Sequence, residues 1–207
     1  MKLTLAPVVF VVDDDPAMRD SLRWLIESTG VQVETFPDAQ TFLARIRPEL
    51  PGCLVLDVRM PGMSGLDLQA ELHRRGIGLP TIVLTGHAEV PMAVRAVKAG
   101  AIDFIEKPFS DQLLLDRVGQ GIEMDREARE SRARRADVLR RLSLLTQRER
   151  EVLDLVVGGR ANKEIAATLG LSTKTVEVHR SHVMDKMRAS SVAELVRLVL
   201  VAQSGTP

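Results

Sequence analysis

Cys53-Leu54-Val55-Leu56-Asp57-Val58-Arg59-Met60-Pro61-Gly62 is an apolar run that stops at a carboxylate and then at a turn. The apolar residues between Gly52 and the Pro61-Gly62 pair predict a short strand buried on both faces. Such a strand has no structural use for an acid at its end. Asp57 needs a chemical reason to be there, and acceptance of a phosphoryl group is the one we assign.

Working outward, Val8-Val9-Phe10-Val11-Val12 is a second buried strand, followed at once by Asp13-Asp14-Asp15 and by Pro16, a good helix opener. Met18, Leu22, Leu25 and Ile26 recur at helical spacing until Gly30. A strand over 31–36 and a helix over 39–46, N-capped by Asp38, complete the left flank. To the right come a helix over 66–74, a strand Thr81-Ile82-Val83-Leu84-Thr85, a helix over 90–98 and a strand Ile102-Asp103-Phe104-Ile105. The last strand runs into Glu106-Lys107-Pro108, and a further helix starts near Ser110-Asp111. Strand and helix alternate throughout, which predicts an α/β domain: a parallel sheet with helices on both faces.

In such sheets ligands sit beyond the carboxyl ends of the strands, where the strand order reverses. The polar residues at those ends are Asp13 and Asp14, Asp57, Thr85 and Lys107. A lone Asp at a strand end is ordinarily a turn or cap residue, and Asp15 is assigned to helix capping for that reason. Four strand ends all carrying chemically competent residues are a different matter. Carboxylates about 5 Å apart repel by roughly 3 kcal/mol per pair at an effective dielectric of about 20. Lys107 offsets only part of that, and a hard cation, Mg²⁺ (or Mn²⁺), offsets the rest. Asp13, Asp14, Asp57 and the backbone carbonyl of Arg59 are the candidate metal ligands. Asp57 is the candidate nucleophile, with Lys107 and Thr85 placed to bind the phosphoryl oxygens.

Val12-Asp13-Asp14-Asp15, Leu56-Asp57-Val58-Arg59-Met60-Pro61, Leu84-Thr85-Gly86-His87 and Phe104-Ile105-Glu106-Lys107-Pro108-Phe109 resemble the receiver domain of two-component response regulators. The resemblance covers residues 8–122. It implies a flavodoxin-like, five-stranded sheet of order 2-1-3-4-5, a cis peptide before Pro108, and phosphotransfer from a sensor histidine kinase. It implies Thr85 and Phe104 as the switch pair and a dimer face near Val90, Pro91, Val94 and Lys98. A flavodoxin proper is excluded, because Asp13-Asp14-Asp15 would repel its flavin phosphate. An aspartyl-phosphate phosphatase is the enzymatic alternative, but the second acid expected two residues after the nucleophile is Arg59. The expected chemistry is therefore Mg²⁺-dependent self-phosphorylation and slow self-dephosphorylation of Asp57, not turnover of an outside substrate.

Lys+Arg 28 balances Asp+Glu 28, but not evenly along the chain. Residues 1–122 carry 12 basic and 16 acidic groups, and residues 146–207 carry 9 and 7. The single Cys53 excludes an internal disulfide and a multi-cysteine metal site, and fits a reducing compartment. The N-terminus lacks a signal-peptide plan and no window is apolar enough for a membrane span, so a cytoplasmic location without membrane partners is expected. Residues 123–141 contain Glu, Arg and Ala but neither Pro nor Gly, which predicts an exposed helix. Arg134-Arg135 and Arg140-Arg141 are expected to be solvated.

Beyond the linker, Thr146 and Glu149 form a capping box for a helix whose apolar face includes Val152, Leu153 and Val156. Asn162 is expected to cap a second helix and Thr173 a third, with the turn Gly170-Leu171-Ser172 between them. This is a helix-turn-helix arrangement over about 161–180. At about 100° per residue, Val176, Val183 and Met187 of the third helix fall on one side and Lys174, Val178 and Ser181 on the other. Glu177, Thr175 and His182 flank the outer face, and Arg180 sits at its margin. Residues 159–190 hold 6 basic and 3 acidic groups, a modest footprint for DNA that implies reliance on dimerisation.

Leu145-Thr146-Gln147-Arg148-Glu149-Arg150-Glu151-Val152-Leu153, Asn162-Lys163-Glu164-Ile165-Ala166 and Thr175-Val176-Glu177-Val178-His179-Arg180 resemble the LuxR-type DNA-binding domain. The whole chain then resembles a NarL/FixJ response regulator, through Gly86-His87 and Val90-Pro91-Met92-Ala93-Val94 its FixJ branch. The expected domains are a receiver over 6–122, a helical linker over 123–143 and an all-α, four-helix helix-turn-helix domain over 144–207. The expected activity is that of a phosphorylation-controlled transcriptional regulator. Its expected partners are a cognate sensor histidine kinase, double-stranded promoter DNA, a second copy of itself on phosphorylation, and RNA polymerase. Candidate DNA-contacting residues are Lys163, Lys174, Thr175, Glu177, Val178, Arg180 and Ser181. Glu177 stands where many relatives carry lysine. A small-molecule-responsive LuxR-type regulator would have no need of the Asp, Thr and Lys strand ends.

Overall fold

The computed structural model describes residues 6–87 and 89–203; the readings made on residues 1–5 and 204–207 lie outside them. The chain divides into two compact units that meet between Ala128 and Arg129. The first holds β1 (Val8–Val12), α1 (Pro16–Glu27), β2 (Gln32–Phe36), α2 (Ala39–Arg45), β3 (Gly52–Asp57), α3 (Gly65–Arg74), β4 (Thr81–Thr85), α4 (Val90–Lys98) and β5 (Ala101–Glu106). All strands pair in parallel, in the order β2-β1-β3-β4-β5 that the resemblance implied. The order reverses beside β1, so the connections leaving β1 and β3 run to α1 and α3 on opposite faces and leave a crevice beyond the carboxyl ends of the two strands.

The side chains of each strand alternate between two apolar layers. Val9, Val11, Cys53, Val55, Ile82 and Leu84 pack under Leu22 and Ile26 of α1 and under Leu114 and Val118 of the helix after β5. Phe10, Val12, Leu54 and Leu56 pack under Phe42, Leu68 and Leu72 of α2 and α3. Phe10, Phe36 and Phe42 form an aromatic group there, Phe36 meeting Phe42 edge-on at 5.3 Å between centroids. Every residue of β3 is buried, Asp57 included. Burial of that strand on both faces is why it reads as a continuous apolar run.

α5 (Asp111–Ser143) is one helix, and the stretch read as a linker forms its later part. The second unit comprises its residues from Arg129 on, with α6 (Gln147–Val157), α7 (Asn162–Leu169), α8 (Thr173–Met187) and α9 (Val192–Gln203). Val138 of α5 shares a core with Leu145, Val152, Leu153, Ile165, Val176, Val183, Met187 and Leu195. Two capping assignments move by one residue. Ala161, which has no capping side chain, precedes α7, and the Glu164 carboxylate instead accepts from its N–H at 2.9 Å. Ser172, not Thr173, caps α8, its hydroxyl accepting from Thr175 N–H at 3.0 Å. The capping box of Thr146 and Glu149 forms as expected. So do the caps by Asp15 and Asp38. Among the described residues no helix is long and apolar enough to cross a membrane.

The expectation of solvated arginines fails at two positions. Arg135 Nε donates to the Ala202 carbonyl at 3.2 Å, and Arg141 Nη1 donates to the Met187 carbonyl at 2.9 Å. Both partners lie too far along the chain for sequence spacing to reveal them.

Candidate functional site

The sheet register sets the site. Val12 pairs with Leu56, so Asp13 and Asp57 are the next residues on neighbouring strands. Asp57 pairs with Leu84, and Thr85 with Glu106, which brings Thr85 and Lys107 to the same edge. Asp13, Asp57 and Thr85 are all buried. Lys107 Nζ bridges the two acids, 2.8 Å from Asp13 Oδ2 and 2.7 Å from Asp57 Oδ1. Lys107 N–H donates to the Thr85 carbonyl at 2.7 Å, which fixes the end of β5 against β4. The Lys107–Pro108 peptide bond is cis, in agreement with the resemblance.

The other carboxylate oxygens have local donors. Asp57 Oδ2 accepts from Arg59 N–H at 2.6 Å, and Asp13 Oδ1 accepts from Asp15 N–H at 2.9 Å. Burial pushes the Asp57 carboxyl above the ordinary range; the Lys107 hydrogen bond and charge pull it down, and the Asp13 charge pushes it up again. Burial pulls the Lys107 ammonium down, but its hydrogen bonds to Asp13 and Asp57 and their charges outweigh this, so the net shift is upward. One ammonium thus serves two acids, and a negative charge is left over.

Asp14 is exposed and lines an open cleft of about 590 Å³ beside Asp57, with Val58, Arg59, Met60, Pro61, Ser64 and Arg95 among its other walls. Among the described residues no three His, Cys, Asp or Glu side chains are grouped closely enough to hold a metal ion by themselves. The structure unites Asp13 and Asp57 through Lys107, while Asp14 stands at the rim. Thr85 is close by but turned to its own loop: its hydroxyl donates to the His87 carbonyl at 3.0 Å and accepts from His87 N–H at 3.2 Å. Phe104 is half-buried beside Val83, against Val58, Leu66 and Ala96.

Two contributors were not foreseen. A Cβ on Gly65 would stand 2.1 Å from the Asp57 carbonyl oxygen, so only glycine lets α3 begin this close to the acid's backbone. Gln69 is buried and donates to the carbonyls of Ala96 and Ala99 at 3.2 and 3.1 Å, tying α3 to α4. The turn residues Gly62 and Ser64 hint at the first; nothing local hints at the second.

In the second unit α8 presents Lys174, Glu177, Val178 and Ser181 to solvent and buries Val176, Val183 and Met187. Lys163 is exposed on α7, and Thr175 is half-buried against Ser172. Arg180 is not a free margin residue: its Nη1 donates to Asn162 Oδ1 at 2.6 Å, which links α8 to the start of α7. The outer face keeps a lysine, a hydroxyl and a small apolar patch, the types that meet phosphates and base edges in a major groove.

The response regulator receiver domain family matches residues 9–119, and the LuxR family of bacterial regulatory proteins matches residues 143–199. Nodulation protein W of Bradyrhizobium diazoefficiens is 49% identical over 191 residues, 92% of this chain and 84% of its own. The transcriptional regulatory protein FixJ of Azorhizobium caulinodans is 48% identical over 194 residues, covering 94% and 92%. Among solved structures, the response regulator StyR is 49% identical with a TM-score of 0.87, covering 95% of this chain and 99% of its own. Full-length FixJ from B. japonicum is 41% identical with a TM-score of 0.58, covering 98% and 100%.

Proposed function

The chain belongs to the FixJ-type response regulators of two-component systems, and from that premise we propose that Asp57 is the residue on which a sensor histidine kinase writes its signal. Such a protein is a phosphorylation-controlled, DNA-binding transcriptional regulator rather than an enzyme acting on an outside substrate. The observation that carries the assignment is the shared ammonium of Lys107, with buried Asp13 and Asp57 both within hydrogen-bond reach of it.

An Asp57 oxygen attacks the phosphorus of a phosphohistidine; a P–O bond forms, the P–N bond breaks, and the released imidazole takes a proton from solvent. Lys107 leaves its ion pair with Asp57 to meet the incoming phosphoryl oxygens. The charge left over at the acids suits a hard oxygen-seeking cation, Mg²⁺ or Mn²⁺. Asp13, Asp14, Asp57 and the Arg59 carbonyl would hold it, and it would supply positive charge to the transferring group. Thr85 gives up its bonds to the His87 backbone to donate to the acyl phosphate, and Phe104 on the neighbouring strand repacks with it. Water slowly reverses the modification.

Lys163, Lys174, Thr175, Glu177, Val178, Arg180 and Ser181 contact the duplex, Arg180 from its place against Asn162. Phosphorylation favours a homodimer that reaches paired half-sites and, through them, RNA polymerase, in the cytoplasm. Treatment with a small phosphoryl donor and Mg²⁺ tests the assignment. Mass spectrometry should find a hydroxylamine-labile phosphoryl group on the Asp57 peptide. Labelling of another residue, or undiminished labelling of Asp57→Asn, would overturn it.

A further inference from the structure

The last fifteen residues of α5, 129–143, fall inside the second compact unit, although the LuxR-family match begins only at residue 143. Arg135, Val138 and Arg141 follow one another at three-residue steps, so each is turned about 60° from the one before. They make a single stripe on the side of the helix that meets the bundle. Val138, at its centre, is 3% exposed within the core that also holds Val176, Val183 and Met187 of α8. The two arginines beside it each take a carbonyl at the end of a different helix: Met187 of α8 for Arg141, and Ala202 of α9 for Arg135.

The end of α8 shows what Arg141 adds. An α-helix leaves its last carbonyls without intrahelical partners. Arg188 adopts a left-handed conformation at φ 53°, where glycine is the usual residue. That turn sends Arg188 N–H to the Asp185 carbonyl at 3.1 Å and Ala189 N–H to the Met184 carbonyl at 2.9 Å. The Met187 carbonyl then receives Arg141 at 2.9 Å, and the cation lies where the helix dipole favours positive charge. The guanidinium is itself oriented by an ion pair with Asp137, one turn earlier on α5, and its side chain is only 19% exposed.

We propose that residues 129–143 are a brace helix of the DNA-binding unit, and that Arg141 is a positioning residue for α8, with Arg135 doing the same for α9. Neither touches DNA. Arg141 acts by fixing where the helix that carries Lys174, Glu177, Val178 and Ser181 ends, and hence how its outer face is aimed. The effect on DNA rests on the reading of α8 as the recognition helix; the brace itself does not.

Two measurements on the full-length chain separate these. In native-state hydrogen exchange, Arg141→Met should speed exchange in the final turn of α8 and spare that of α9, while Arg135→Met should do the reverse. Arg141→Lys, which keeps a donor and a charge, should restore α8 most of the way. Equal loosening of both helices by either variant, or no loosening, would overturn the brace. For DNA, a duplex is first enriched from a random library by the wild-type chain treated with a small phosphoryl donor and Mg²⁺. Arg141→Met should weaken that duplex roughly tenfold, change binding to unselected duplex by less than about twofold, and leave the salt dependence unaltered. An equal loss on both duplexes with a shallower salt slope would make Arg141 a phosphate contact and sink the positioning role. If the wild-type chain enriches no duplex, the recognition-helix reading fails, and the exchange pattern alone still decides the brace.

Discussion

Each unit of the molecule contains a buried carboxylate held by a lysine, and the two behave oppositely. Asp57 is 7% exposed with Lys107 Nζ at 2.7 Å; Glu149 is 3% exposed with Lys186 Nζ at 2.6 Å. Burial drives the Asp57 carboxyl upward and the Asp13 charge adds to it. The Lys186 hydrogen bond instead holds Glu149 down at about 2, against burial and with help from the backbone and hydroxyl of Thr146. Burial leads at Asp57 and is outweighed by the Lys186 hydrogen bond at Glu149, and the sharing of Lys107 adds to the contrast. Glu149 closes a capping box and, among the described residues, its lysine meets no second acid, whereas Asp57 divides Lys107 with Asp13. Each carboxylate also accepts a backbone N–H, Glu149 from Thr146 and Asp57 from Arg59, so the contrast lies in burial and in the shared lysine and not in the number of donors.

The largest effect should come from removing the shared lysine. Lys107→Met strands two buried acids without a counter-charge and should cost the first unit about 3–5 kcal/mol at neutral pH. Urea unfolding followed by amide protection in β3 measures it. Recovery of much of that loss in the Lys107→Met, Asp57→Asn double variant is expected; strict additivity would mean the acids do not share the lysine. Next, Glu149→Gln weakens the bond to Lys186 and the N-terminal box of α6, and should cost the second unit about 1–3 kcal/mol. An unchanged α6 would remove Glu149 from the comparison.

Smaller, and of opposite sign, is Asp57→Asn. Neutralising an acid that burial and Asp13 disfavour should stabilise the first unit by about 1 kcal/mol and raise its melting temperature by a few degrees. A lower melting temperature would contradict the strained-acid account. The pH dependence sharpens the same contrast. Since the folded state raises the Asp57 carboxyl, its destabilising share is present at neutral pH and disappears as pH falls through the raised value toward the ordinary 3.8. Since the folded state lowers Glu149, its stabilising share is present above 4.5 and is lost as pH falls from there to about 2. Unit-resolved exchange compared between each variant and the wild type should show the two differences trending oppositely on acidification.

Much of this was legible in the residue order because the first unit advertises itself locally. Apolar runs broken by Gly or Pro mark β3 and β4, and the strand ends carry Asp13, Asp57, Thr85 and Lys107 in view. Parallel topology then brings them together without any further information. What escaped depends on pairings over long separations or on atomic fit. Arg135 and Arg141 look like solvated charges until α9 and α8 end against them. Asn162 looks like a cap until Arg180 claims its side chain. Ser172 and Thr173 both suit a cap by type, and the extended backbone at Ser172 with the bond its hydroxyl accepts from Thr175 N–H makes it the one used. Gly65 lies in a stretch that Gly62 and Ser64 mark as a turn, but its need to be glycine shows in the 2.1 Å that separates an added Cβ from the Asp57 carbonyl.

We propose that the state of Asp57 is read out on DNA, and affinity under a phosphoryl donor tests this most directly. On a duplex enriched by the wild-type chain, donor and Mg²⁺ should tighten binding of the full-length protein about tenfold or more, with no gain for Asp57→Asn. An equal gain in Asp57→Asn, or none in a wild-type chain verified to be phosphorylated, would contradict the account.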